Sequence, residues 1–545
     1  MPGTPCAFVS PDDTVAPQHT TQGPLQGLIS RQFGQRAWSH VLLVLAIAVI
    51  VRTPIFFALD TTTVGWHSAD YGSIARNYYR NGFQFFYPQI DWGGDGPGFV
   101  EMEFPIVPYA TALLYAVAGG VDDRLAVVVP LASGLLAVLF TYLIALELFT
   151  PAVAVTAGIF AGVSPVFARF SQLAFPEATM LAASAAAIYA AVIWVRTGRA
   201  LHLLFSATAL SLALLLKPTA LILGGPLLWA FWLREGRQLW RRPSLYWYGV
   251  VALVPPLLWY AHALGLAREF GNSFGILFGG GSSKLANWDV LTTPAFYARI
   301  AQRVTVYHLT VGGLVAAVWA FRARWTAPQL VAPIWLASAL VSIVVVAQGN
   351  FEAAYYQLPI VLPACLIAAV GFAKLDEELT SRAPARQRPA AAMALTGFVL
   401  AAALVGNVLH YQRSDYVPFT LPRKHSAQAL ATVLEPGALI IYSEHEPLPK
   451  PLPRGQHVTP PDPFYFSDHR GWYLATPWVS ESEIASLKQR GARYFIVADL
   501  GRLGSAHPDV IAALDRAHPR VETHSSLVAW DLALNAPPKR TGTSD

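Results

Sequence analysis

Long apolar stretches alternate with short polar ones over most of this sequence. Runs suited to helices in a bilayer fall at Trp38–Ala58, Phe104–Gly119, Leu125–Phe149, Val153–Phe170, Ala178–Val195 and Leu201–Leu216. Others follow at Thr219–Leu233, Tyr246–Leu264, Val304–Phe321, Leu330–Ala347, Tyr355–Phe372 and Ala390–Leu409. An apolar helix needs about 20 residues to cross the hydrocarbon core, so each run is a candidate span.

Charge placement reduces the count by one. Loops rich in Arg and Lys lie at Arg196–Arg199, Arg234–Arg242, Arg322–Arg324 and Lys374–Arg388. If Phe104–Gly119 does not cross, all four fall on the side of Arg31 and Arg36, as the positive-inside rule requires. That run is short and opens with Pro105 and Pro108, so it is expected to lie at the outer interface. The expectation is an all-α polytopic membrane protein of about eleven spans, with its N-terminus inside and C-terminus outside.

Composition agrees: 54% of the 545 residues are hydrophobic and 13% charged, against about a quarter charged in soluble domains. The net charge of +5 resides in the short loops and is not a nucleic-acid footprint. Two cysteines, Cys6 and Cys365, are too few for a disulfide framework or a Cys-rich metal site. Residues 1–37 read as a disordered cytoplasmic tail with no cleavable signal peptide, and 38–410 as the membrane domain. Residues 411–535 turn polar and mixed. There ALIIYSE, ARYFIVAD and SLVAWDL read as buried strands, with helices at Glu481–Arg490 and Asp509–Ala517 between them. This predicts a small extracytoplasmic α/β domain followed by a disordered tail at 536–545.

The first outer loop, 59–123, is long, aromatic and punctuated by DWGGDGPG. It carries WHSADYGSIARNYYRNGF, an amphipathic helix with Asp70 near its start, and GFVEMEFPIVPY, with Glu101 and Glu103. Glu177 in AFPEATM and Lys217 in LLLKPT fall at other outer junctions under the same count. Charges at the membrane edge are costly and point to function. Each also has a plainer reading: a helix-end carboxylate for Asp70 and Glu177, loop charges for Glu101 and Glu103, and a snorkelling amine for Lys217. His67 is more readily a polar neighbour than a metal ligand.

Together these residues resemble the GT-C superfamily of glycosyltransferases, in particular its bacterial protein O-mannosyltransferase and aminoarabinose-transferase-like branch. The resemblance covers roughly Trp38–Phe372. HSADYGSIARN stands where that family has an Asp-Glu pair, EMEFPIVPY where it has an acid followed by proline, and YYQLPIVLP resembles its late aromatic-proline segment. Tyr71 departs from the pattern, occupying the second acidic position.

The resemblance implies a GT-C-like fold in a cell membrane and a polyprenyl-phosphate-linked sugar as donor. The acceptor would be a protein, lipid or glycan at the outer face. Asp70 is then the candidate general base, with Glu103 and Glu177 as further catalytic acids. His67, Arg76, Glu101, Tyr355 and Tyr356 would line the substrate site. Lys217 could meet the lipid phosphate, as could Arg268, Arg299 and Arg303, cations placed against the loop charge bias. If a divalent cation, Mg or Mn, assists, Asp70 and Glu177 would hold it.

Two other classes compete. A transporter or flippase would show repeats and midplane charges. A polytopic scaffold would leave the Asp70–Glu103–Glu177 pattern without a purpose.

Overall fold

The computed structural model describes residues 31–57, 66–276, 284–382, 384, 387–413, 416–445, 460–523 and 525–535. Most of the expected N-terminal tail and all of the C-terminal one lie outside these residues. The first helix already begins at Arg31 and runs to Phe57.

Among the described residues, five helices are long and apolar enough to cross a membrane: Leu125–Leu148, Glu177–Thr197, Pro243–Phe270, Pro328–Val345 and Ala354–Arg382. A sixth arises if Pro294–His308 and Thr310–Arg322, bent by 99°, form one crossing. Five shorter apolar helices accompany them, at Trp38–Thr53, Ile106–Ala118, Pro151–Val163, Ala200–Leu216 and Met393–Leu409. The chain is a multi-pass membrane protein.

Several apolar runs are not continuous helices. Val153–Phe170 divides into Pro151–Val163 and Pro165–Phe170 because Pro165 cannot donate to the preceding turn. Val304–Phe321 opens with a π-turn at Val304–His308 and breaks before Thr310, whose φ is +60°. Thr219–Leu233 begins as a 3₁₀ turn at Pro218–Leu223 and turns α-helical at Gly224. The run at Phe104–Gly119 supplies a helix at Ile106–Ala118. It has 13 residues, and about 20 Å of helix falls short of a bilayer core.

The bundle core is built from small residues. Ala182, Ala183, Ala185, Ala186 and Ala187 on Glu177–Thr197 let neighbouring helices approach closely. Gly371 shows how closely: a Cβ there would sit 1.8 Å from the Ala316 carbonyl oxygen.

After the helices Arg388–Arg413 and Tyr416–Val433 the chain forms a five-stranded sheet. Its strands are β1 (Leu439–Ser443), β2 (Gly471–Tyr473), β3 (Ala492–Val497), β4 (Arg520–Val521) and β5 (Val528–Asp531), in the order β2-β1-β3-β5-β4. β2, β1 and β3 are parallel; β5 and β4 continue antiparallel. The strands expected from ALIIYSE, ARYFIVAD and SLVAWDL are β1, β3 and β5, and the expected helices appear as Glu481–Gln489 and Pro508–Ala517.

This sheet is fastened to the first long loop. Gly471 donates to the Asp91 carbonyl (3.0 Å) and Gly94 donates back to the Gly471 carbonyl (2.7 Å). Asp468 binds Arg76 (3.0 Å) and Arg80 (2.7 Å), and Arg490 pairs with Asp95. The loop and the α/β domain therefore share one side of the bundle.

Candidate active site

Two segments of the first loop and the ends of two bundle helices build the site. The helix Trp66–Asn81 buries Tyr71, Ile74 and Tyr78 on one face, at helical spacing, against Ile90, Val100 and Met102. Its start also packs elsewhere: Ala69 lies against Ala427, Tyr465 and Phe466 of the C-terminal region. Asp70 is held between these surfaces at 3% exposure. Its carboxylate accepts a 3.0 Å hydrogen bond from the Trp92 indole. Burial drives its pKa well above the ordinary carboxylate value, the Trp92 bond opposes, and the charges of Asp462, Asp91 and Glu103 add to the rise.

The DWGGDGPG loop presents Trp92. Asp91 binds Arg76 (2.5 Å) and Asn77 (2.9 Å), and Gln89 pairs with Phe99 across the turn. The chain then runs extended beside residues 272–275. Glu101 accepts from Ser273 Oγ (2.6 Å) and the Gly275 amide (3.1 Å). The Trp259 indole holds the Met102 carbonyl (3.1 Å), and the Phe104 amide reaches the Leu215 carbonyl (3.0 Å). These bonds deliver Glu103 to the end of the helix Ala200–Leu216, where Lys217 follows.

There a connected polar cluster forms. The Tyr71 hydroxyl donates to Glu103 Oε2 (2.9 Å), and Lys217 Nζ binds Glu103 Oε1 and, at 3.2 Å, Glu177 Oε1. Lys217 also lies 5.8 Å above the Tyr355 ring, which stacks on Tyr356 at 4.6 Å. Burial alone would raise the Glu103 carboxyl, but the Lys217 charge and its hydrogen bonds hold it below the ordinary value. Burial raises Glu101, against the Ser273 bond.

The structure thus gathers Asp70, Glu101, Glu103, Glu177, Lys217, Tyr355 and Tyr356 in one neighbourhood. Arg299 and Arg303 stand one layer away, binding the Phe351 (3.0 Å) and Asn350 (2.6 Å) carbonyls next to Gly349, which packs on Tyr356. Arg268 is exposed in the last turn of the helix Pro243–Phe270. Arg76 is occupied in docking: besides its acids, it donates to the Tyr465 carbonyl (2.8 Å) and covers the Tyr465 ring. The His67 side chain lies outside the described residues.

Sequence reasoning missed Trp92, the partner of Asp70, and the supporting role of Ser273. It also missed Arg52, buried in the bundle, which donates to Ser171 Oγ (2.9 Å) and to the Ala48 and Gly162 carbonyls. An Arg within an apolar run was the available signal.

The fit for a metal is poor. Among the described residues no three His, Cys, Asp or Glu side chains converge to hold an ion. Of the two carboxylates expected to hold one, Asp70 accepts from the Trp92 indole and Glu177 is paired with the Lys217 ammonium.

Residues 97–260 match the family model described as dolichyl-phosphate-mannose-protein mannosyltransferase. That segment holds Glu101, Glu103, Glu177 and Lys217; Asp70 precedes it. No curated relative matches the chain by sequence. Among solved structures, ArnT from Cupriavidus metallidurans bound to undecaprenyl phosphate superposes with TM-score 0.62 at 16% identity, over 92% of this chain and 99% of that one. The Archaeoglobus fulgidus oligosaccharyltransferase in its apo form gives TM-score 0.54 at 12% identity, over 89% of this chain and 73% of that one. The same organism's AglB, in complex with an inhibitory peptide and a dolichol-phosphate, gives 0.53 at 12% identity, over 90% and 73%. At such identities the likeness is one of fold, and the fold is that of the GT-C glycosyltransferases.

Proposed function

We propose that this chain is a membrane glycosyltransferase. It would move a hexosyl or pentosyl group from a polyprenyl-phosphate donor to a hydroxyl of a protein, lipid or glycan at the outer face of a cell membrane. One observation carries the reading: a buried carboxylate, Asp70, immediately precedes Tyr71, whose hydroxyl bonds Glu103 of a Lys217-centred cluster at the end of the apolar bundle. The match of 97–260 to a polyprenyl-phosphate-sugar transferase model supports it, as does a fold neighbour crystallised with undecaprenyl phosphate.

In this reading the acceptor oxygen attacks the anomeric carbon as the bond from that carbon to the phosphate oxygen breaks. Asp70 takes the hydroxyl proton. Burial suits it to the task, because a carboxylate with a raised pKa is a stronger base. The departing lipid phosphate gains negative charge, which a preorganised cation stabilises. An ammonium has three donors; two of those on Lys217 are accounted for by Glu103 and Glu177, and the third is assigned to the phosphate. Tyr71 and Glu103 hold the amine in place. No step is routed through a metal.

The test is transfer by purified protein in lipid nanodiscs, supplied with labelled polyprenyl-phosphate hexose or pentose and a membrane-envelope extract as acceptor. Label should leave the lipid and polyprenyl phosphate should accumulate. If no donor of either class is consumed or bound, the reading fails.

A further inference from the structure

The C-terminal sheet contains a recess with paired charges set among apolar walls, separate from the Lys217 cluster. It has a volume of about 360 Å³ and opens at the carboxyl ends of β1 and β3, between Glu444 and His445 on one side and Asp499 and Arg502 on the other. In open α/β sheets ligands settle where adjacent parallel strands send their chains to opposite faces. That condition is met here. Past β1, the helix Asp462–Ser467 packs on the face of Tyr442 and Ile496 through Phe464. Past β3, the helix Leu500–Ala506 packs on the opposite face, with Phe495 and Val497, through Leu503.

The lining narrows the ligand class. Arg423 forms a two-pronged pair with Glu444 (2.8 and 2.6 Å) and a third contact to buried Asp462 (2.9 Å). Arg502 pairs with Asp499 (3.2 Å). Every cation is matched by a carboxylate, so a free anion would meet Glu444 and Asp499, and a free cation would meet the arginines. A hydroxyl both donates and accepts, so several hydroxyls on one ring can bind such paired groups at once. Tyr442, Pro422 and Pro463 supply apolar wall for ring C–H faces. The volume falls within the usual range for small-molecule sites, about 300–1,000 Å³. The recess also adjoins the candidate active site: Ala427 in its wall packs on Ala69, the neighbour of Asp70.

We propose that this recess binds an uncharged saccharide, a part of the acceptor remote from its reacting hydroxyl; the word acceptor rests on the function proposed above, whereas the binding itself does not.

The test is saturation-transfer NMR on the full chain in lipid nanodiscs, free of sugar-based detergent. The probes are methyl α-mannopyranoside and maltose, with methyl phosphate and glucuronate as charged comparisons. The neutral sugars should receive saturation. Ser526→Trp, which places an indole in the recess from an exposed rim position, and Arg502→Ala should each weaken binding about tenfold or more, the equivalent of one good hydrogen bond. Asp70→Asn should leave the sugar signals in place even where it abolishes transfer, so this inference and the transferase reading fail separately. The proposal is overturned if neither neutral sugar binds, if the charged probes bind better, or if both recess variants, folded by circular dichroism, bind as the wild type does.

Discussion

The Tyr71 hydroxyl donates a 2.9 Å hydrogen bond to Glu103, a carboxylate from another segment of the same loop. Tyr71 occupies the position at which the resemblance implies a second acid, and it serves the neighbouring acid instead. A buried carboxylate at that position would stand against Glu103, and like charges at such range cannot both ionise readily. The phenol keeps the site at two carboxylates around one ammonium.

Tyr71→Phe retains the packing of the ring on Ile74 and Phe175 while removing that one bond. Hydrogen bonds to charged groups are worth about 1.5–3 kcal/mol. Glu103 keeps Lys217, so the protein should remain folded with a modest loss of stability. Transfer should fall by about tenfold or more as the Lys217 amine loses its fixed position. Unchanged turnover in single-turnover assays would show that Lys217 needs no help from Tyr71.

Much of this site was legible because its charges interrupt apolar runs: Asp70, Glu103, Glu177 and Lys217 each sit where hydropathy breaks. What joins them was not legible. No spacing rule ties Trp92 to Asp70, 22 residues away past the end of a helix and an irregular loop, or Glu101 to Ser273, 172 residues away. Hydropathy windows also cannot register backbone breaks. The turns at Ser164 and Leu309 leave the apolar character intact while dividing the helices. β2 escaped detection because three residues carry no alternation pattern. Its partners and its junction with the loop hold it in the sheet.

Asp70→Asn separates catalysis from stability by sign. The Asp70 carboxyl has a raised pKa in the folded protein, so folding binds its proton more tightly than the unfolded chain does. Its stabilising contribution is complete below the ordinary carboxylate range and is lost as pH rises through the raised value. At neutral pH the carboxyl must either keep its charge while buried or take up a proton that the unfolded chain does not hold, a burden that Asn lacks. Asp70→Asn should therefore be more stable than wild type near pH 7, by roughly 0.5–2 kcal/mol, with the gap closing near pH 4. Turnover should drop by about 10²-fold or more. Loss of stability at pH 7 with turnover intact would assign Asp70 to structure instead.

Lys217 should show strong coupling to Glu103. Removing one partner of a buried ion pair costs about 3–5 kcal/mol, because the other charge is left uncompensated. Lys217→Gln leaves Glu103 and Glu177 facing each other, so thermal unfolding should come markedly earlier. Glu103→Gln in the same chain removes one orphaned charge and should recover much of the loss. Donor binding should stay weak in both, by about 1.5–3 kcal/mol, since neither restores a cation for the phosphate. Additive effects of the two substitutions on stability would contradict the pairing.

The junction between loop and sheet can be broken at a single glycine. Gly94 has φ +69°, and a Cβ there would lie 2.3 Å from the Trp472 indole nitrogen. Gly94→Ala meets both backbone strain, about 1–3 kcal/mol, and a side chain packed in β2. Gly82 provides the control: its φ is +98°, but nothing lies within 4 Å of a Cβ placed there. Gly82→Ala carries the strain alone. Gly94→Ala should loosen the pairing of Gly94 and Asp91 with Gly471, exposing the loop around residues 91–96 to limited proteolysis. Trp92 is in that stretch, so Asp70 should lose its hydrogen-bond partner and transfer should fall, while the bundle still inserts. The docking also sets sidedness, which cysteine labelling in intact cells can read at exposed positions. Arg237→Cys and Lys488→Cys should label from opposite faces, with Lys488 reached from outside. Labelling of Lys488→Cys from the cytoplasmic face only would place the sheet, the loop and Asp70 on that side, where the proposed donor is not presented. Equal protease resistance of Gly94→Ala and Gly82→Ala would show that the loop holds its shape without the sheet.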